Sequence, residues 1–387
     1  MKTIVITFSL IFLFLFSIGF VSAQQNGDVE MLFNKGNELA SLGKYQEAIQ
    51  WYDKALHVNP IDLAILNNKG IALAKLGKNY DAIQIYNKIL EIEPKKISTL
   101  YNKGLSLYNL GKYQEAVEWY DKVLDIDPNY IGALNNKGNT LNSLGKYQEA
   151  LVWLDKALDI KPDFVDALYN KGLVLDTLGK YQEAIEWYDK ALEVEPDFVD
   201  ALNNKGNTLN SLGKYQEALV LLDKALEVES SNADVLLNKG YALNSLGKYQ
   251  EAVEWFDKAL EVEPDFFKAL LNKGLVLDTL GKYQEALQSF DKALEVEPND
   301  VDVLLYKGDV LHSLGKYQEA IEWLDKALQV EPNNTDVLYT KGLVLSLLGK
   351  YQEGIELFDK ALEINPNYTN ALTVKEEMLS VLNATVS

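Results

Sequence analysis

The heptapeptide LGKYQEA stands at 42–48 and returns at 110, 144, 178, 212, 246, 280 and 314. LGKNYDA at 76 and LGKYQEG at 348 fill the two remaining places. Nine intervals of 34 residues carry Gly43 to Gly349 with no insertion or deletion between them. A period of that length describes one small supersecondary unit that cannot bury its own apolar face and must stack on copies of itself. The 387 residues then divide into ten units, 29–62, 63–96, 97–130, 131–164, 165–198, 199–232, 233–266, 267–300, 301–334 and 335–368. Residues 369–387 are left as a capping helix and tail, where Glu376 stands at the phase of Gly138 and should stop the stacking.

Each unit reads as two helices. In the fourth, IGALNNKGNTLNSL predicts a helix that Gly145 ends, and YQEALVWLDKALDI a second that stops at Lys161-Pro162. All nine prolines share that one phase, and proline cannot continue a helix because it lacks the N–H and clashes with the preceding turn. Leucine recurs at the phases of Leu134, Leu141, Leu144 and Leu158, giving one apolar face per helix. Gly at the Gly138 phase in every unit, and Ala at the Ala150 phase in nine, mark where two helix axes come closest. Gly costs about 0.5–1 kcal/mol against Ala inside a helix, so its recurrence signals a steric need. The six tryptophans share another phase on the second helix, and read as packing residues.

These residues resemble the tetratricopeptide repeat: the 34-residue helix–turn–helix period, and in the fourth unit Gly138, Gly145, Tyr147, Ala150, Ala157 and Pro162. Leu134, Lys137 and Leu141 depart from the family's usual residues. The lysine of that phase, repeated in Lys35, Lys69, Lys103 and onward, is expected to lay its stem on the leucine face and send its head to acidic neighbours. The resemblance implies an all-α solenoid, a right-handed superhelix whose first helices line a concave groove.

Composition removes several kinds of chemistry. Fifty-seven acidic residues against 37 basic ones, all lysine, give a net charge of −20. That field repels phosphate and offers no arginine fork, which disfavours nucleic acid as a partner. With no cysteine there is no thiolate nucleophile, thiolate metal site or disulfide. His57 and His312 stand alone in separate units, and paired carboxylates such as Glu149 and Asp155 recur in nearly every unit as solvated helix charges. No catalytic, cofactor or metal residue is assigned.

Function then rests on the phases that packing leaves free. In the family such positions on the first helix face the groove, where asparagines can hold the backbone of an extended peptide, an amide offering both donor and acceptor. The matching series is Asn34, Asn68, Asn102, Asn136, Asn170, Asn204, Asn238 and Asn272, interrupted by Tyr306 and Thr340. A second row holds Asn37, Asn139 and Asn207, alternating with Leu105, Leu173, Leu275 and Leu343. A helical wheel turns these asparagines, with Asn135 and Asn142, away from the leucine stripe. Aspartates neighbour them at 166, 200, 234, 302 and 336, with Lys268 the exception, so the expected ligand is a neutral or basic protein segment. The expectation is a non-catalytic protein-interaction scaffold. The alternative is a structural or self-associating envelope spacer, followed by an enzyme or a weak calcium binder.

The start of the chain has its own character. Lys2, the apolar run Ile4–Val21 and the small-residue exit Val21-Ser22-Ala23 describe a signal peptide at 1–23, cut after Ala23, and a protein that is secreted or held in the cell envelope. Left uncut, the segment would anchor the chain in a membrane. Sequons at Asn333, Asn367 and Asn383 would accept glycan in a suitable host.

Overall fold

The computed structural model describes residues 27–386; the expected signal segment and its cut site lie outside the described residues. The described residues form 21 α-helices and no strand, paired head to tail from a first helix at 27–41 to a last at Thr369–Val386. They fall into two compact units, Met1–Val194 and Glu195–Ser387. No described helix is long and apolar enough to cross a membrane.

The fourth repeat shows how the joint is built. Its first helix runs Ile131–Ser143 and its second Tyr147–Ile160. Gly145 adopts φ +73°, a left-handed turn open to glycine without a Cβ penalty, and the Lys146 N–H reaches back to the Leu141 carbonyl at 2.9 Å. That bond satisfies a carbonyl the helix end leaves free. At the far end Lys161 is extended (φ −136°, ψ 92°), as the residue before proline must be, and Pro162 prevents another turn.

Gly138 and its equivalents explain the close helix crossing. A Cβ built on Gly138 would sit 2.7 Å from Leu154 Cγ; on Gly274 it would meet the Phe290 ring at 2.4 Å. The large residue of the second helix fills the space a side chain would take, and Tyr52, Tyr120, Tyr188, Phe256 and Phe290 are buried there. The second helix answers with Ala150 and Ala157, both fully buried. Gly354 is the one exception at the Ala150 phase, and Ser346 accounts for it: a Cβ on Gly354 would lie 2.6 Å from Ser346 Oγ.

Successive repeats within each unit are tied by the lysine series. Lys137 Nζ bonds Asp121 on the second helix of the preceding repeat, and the same pair recurs as Lys69–Asp53, Lys171–Asp155, Lys239–Asp223, Lys273–Asp257, Lys307–Asp291, Lys341–Asp325 and Lys375–Asp359. The head also lies over an indole: Lys137 Nζ is 3.5 Å from the Trp153 centroid, and Lys156 Nζ 3.9 Å. The tryptophans therefore pack, and also carry cations on their π faces. In the last helix Lys375 repeats the tie to Asp359, while Leu372 is exposed because no described helix follows to cover it.

Candidate binding surface of the first helices

In the first unit the asparagines bond to one another across repeats. Asn170 Nδ2 donates to Asn135 Oδ1 at 2.9 Å, Asn135 Nδ2 to Asn136 Oδ1 at 3.2 Å, and Asn136 Nδ2 to the Tyr101 hydroxyl at 2.8 Å. This chain of amides spans the third, fourth and fifth repeats. It arises because the Asn136 phase of one repeat meets the Asn135 phase of the repeat before it. Asn139 Nδ2 likewise donates to the Tyr108 hydroxyl at 3.2 Å. Asn135 and Asn170 are buried, so the expectation that Asn135 faces away from packing is corrected, and Asn170 contributes as a tie between repeats. Asn136 and Asn139 stay half-buried, Asn102 is half-buried without a side-chain hydrogen bond, and Asn34 is exposed on the first helix.

At the first joint the amides surround a cavity of about 340 Å³ lined by Asn37, Asn68, Tyr45, Tyr52, Ile71 and Lys75 among others. Asn37 Oδ1 accepts from both Asn68 Nδ2 and the Tyr52 hydroxyl, each at 2.9 Å, which orients the two amides at its wall. Desolvation raises the Tyr52 pKa, so its hydroxyl keeps its proton.

The second unit is organised differently. Asn238 Nδ2 donates to Asn203 Oδ1 at 2.9 Å, repeating the tie between repeats, but Asn272 turns back to the Lys268 carbonyl of its own helix at 2.8 Å, and Asn207 is exposed. Asn204 is half-buried. Where Tyr306 and Thr340 interrupt the asparagine series, carboxylates gather. Burial, reinforced by Asp278 and Asp336, pushes the Asp309 carboxyl up to about 6, against a lowering hydrogen bond with Thr340. Burial, with Asp300, Glu331 and Asp336 nearby, also raises Asp302, and burial raises Asp278. Burial, with Glu229 and Asp234 nearby, raises Asp200. Asp336 accepts from the Tyr368 hydroxyl at 2.7 Å.

Sequence reasoning missed Asp309. The signal was available: it occupies the Asn139 phase, where the other repeats carry Asn or an apolar residue. Among the described residues no group of three or more His, Cys, Asp or Glu could hold a metal ion.

Known proteins place the chain by its repeats. Sequence models described as tetratricopeptide repeat match residues 29–62, 63–96, 97–130, 119–152, 165–198, 199–232, 233–266, 271–333 and 335–368, and one described as TPR repeat matches 138–179. No curated protein matches the chain. Among solved structures, the Cut9-Hcn1 hetero-tetramer of the APC/C is 17% identical with TM-score 0.55, covering 91% of this chain and 76% of that one. A tetratricopeptide repeat protein from Parabacteroides merdae is 21% identical with TM-score 0.50, covering 64% and 98%. YrrB, described as a TPR protein with an unusual peptide-binding site, is 28% identical with TM-score 0.43, covering 49% and 97%. Because a single tetratricopeptide repeat model matches six spans that together exceed half its length, the chain belongs to the tetratricopeptide repeat family.

Proposed function

We propose that this protein is a non-catalytic scaffold that binds an extended segment of a protein partner along the first helices of its repeats. The observation that carries the reading is the set of oriented amides: Asn37, Asn68, Asn136 and Asn139 are half-buried, and all four hold bonds to a neighbouring repeat. Amides already ordered lose little side-chain entropy when a peptide backbone takes up their remaining donors and acceptors. Recognition of that kind reads backbone and shape, and tolerates sequence variety in the partner. In the second unit Asp200, Asp302 and Asp309, raised by burial and by neighbouring carboxylates, favour a neutral or basic segment over an acidic one. Export through the N-terminal segment belongs to the same reading, and intact-mass measurement of secreted protein tests it: a chain beginning at Gln24 supports it, one retaining Met1 opposes it.

The binding claim is tested by crosslinking and pull-down with the mature chain and two variants. One changes Asn136, Asn170, Asn204 and Asn238 together to Ala. The other, Ile71→Trp, fills the first-joint cavity without removing a hydrogen bond. With helicity retained by circular dichroism, loss of a captured partner in either supports the proposal; unchanged capture in both sinks it.

A further inference from the structure

From Lys69 to Lys375, every lysine of the series has an aspartate sixteen residues before it, except Lys103, which has Asn87. In the structure Lys103 Nζ donates to Asn87 Oδ1, whereas the eight pairs described above join lysine to carboxylate. Lys103 Nζ also lies 3.6 Å from the Trp119 centroid, with Lys122 Nζ at 3.5 Å from the same ring. Two ammonium groups thus share one indole, and the carboxylate that elsewhere balances the first of them is missing. Glu115 is the acidic group acting on Lys103.

We propose that Lys103 is a site of covalent acylation, taking a short acyl group from a thioester. The unprotonated Nζ attacks the thioester carbonyl carbon; a C–N bond forms, the C–S bond breaks, and the sulfur leaves as thiolate while the nitrogen loses its proton to water. No oxidant or reductant is needed. Two features of the joint favour this lysine. Burial and the Lys122 charge lower its pKa to about 8, so about a tenth of it is free amine at pH 7 and about half at pH 8. The product also fits the joint: an acylated Nζ keeps one N–H for Asn87 Oδ1, so a neutral amide pair replaces the charged one. Acylating Lys137 or Lys307 would instead replace its charge-assisted bond to Asp121 or Asp291 with a weaker one from a neutral N–H.

The test treats the full chain with acetyl-coenzyme A at pH 8 and follows each lysine by peptide mass spectrometry. At that pH an ordinary lysine is free amine about one part in 300. The excess of free amine at Lys103, less about an order of magnitude for its lower basicity and partial burial, predicts acetylation roughly tenfold faster than at an ordinary lysine, with Lys69 and Lys137, each paired to an aspartate, as the comparison within the chain. Asn87→Asp installs the residue found at the other joints and should bring Lys103 down to their rate with helicity unchanged. A Lys103 rate within twofold of Lys137, or a rate unaffected by Asn87→Asp, overturns the proposal.

Discussion

Asp309→Asn should stabilise the protein at pH 8 and do nothing at pH 4. Asp309 is held half-buried in the ninth repeat, where burial and the Asp278 charge raise its carboxyl from 3.8 to about 6. The folded chain therefore keeps this proton to higher pH than the unfolded chain does. Between about pH 4 and 6 the native state binds more protons at this position, so its contribution to stability is present below that window and lost as pH rises through it. At 1.36 kcal/mol per pH unit, the completed loss above pH 7 is on the order of 3 kcal/mol. Asparagine carries no charge to desolvate and still offers Thr340 an acceptor, so the variant escapes the loss. Urea unfolding of the full chain at pH 4, 6 and 8 reads the effect, comparing midpoints because stacked repeats need not unfold in one step. Amide exchange over Val301–Ser313 provides the local signal. A wild-type-minus-variant difference that is flat from pH 4 to 8, or a variant less stable at pH 8, refutes the reasoning.

Three further outcomes are expected. Gly274→Ala should cost about 1–3 kcal/mol by driving a methyl into the rigid Phe290 ring at 2.4 Å, while Gly206→Ala, whose methyl would stand 3.0 Å from the rotatable Leu222 side chain, should cost less, as read by thermal unfolding. At the joint between the third and fourth repeats, Asp121→Ala should destabilise more than Lys137→Met, by on the order of 1–2 kcal/mol in denaturant titration. The lysine side chain is 8% exposed and its partner 47%, so removing the aspartate strands a buried charge whereas removing the lysine leaves a solvated one. Asn170→Ala orphans the buried Asn135 carbonyl and should cost about 1–3 kcal/mol, while Asn102→Ala, which breaks no side-chain hydrogen bond, should stay within about 0.5 kcal/mol in the same assay.

The helix pair was readable from sequence because its determinants are local. Gly145 must take a positive φ, Pro162 must end a helix, and Gly138 must be small; each requirement is written in one residue and repeated at one phase. The relations between repeats were much less readable. Nothing within a single repeat says that Lys137 will find Asp121 sixteen residues earlier, or that Asn170 will bond Asn135 thirty-five residues back. Those pairs appear only when one repeat is laid on the next, since a helical wheel describes one helix and assigns Asn135 to an open face that the neighbouring repeat in fact covers. Residues that shape a joint are under the same geometric demand ten times over and stay constant. Exceptions to a repeated pair carry more information: Asn87 where the other joints have aspartate, Asp309 where they have asparagine or an apolar residue, Ser346 facing Gly354. Each changes charge or volume at one joint while the helix pair around it is kept. A scaffold built from copies can therefore acquire a distinct amine or a distinct acid at a single place without disturbing the stack that presents it.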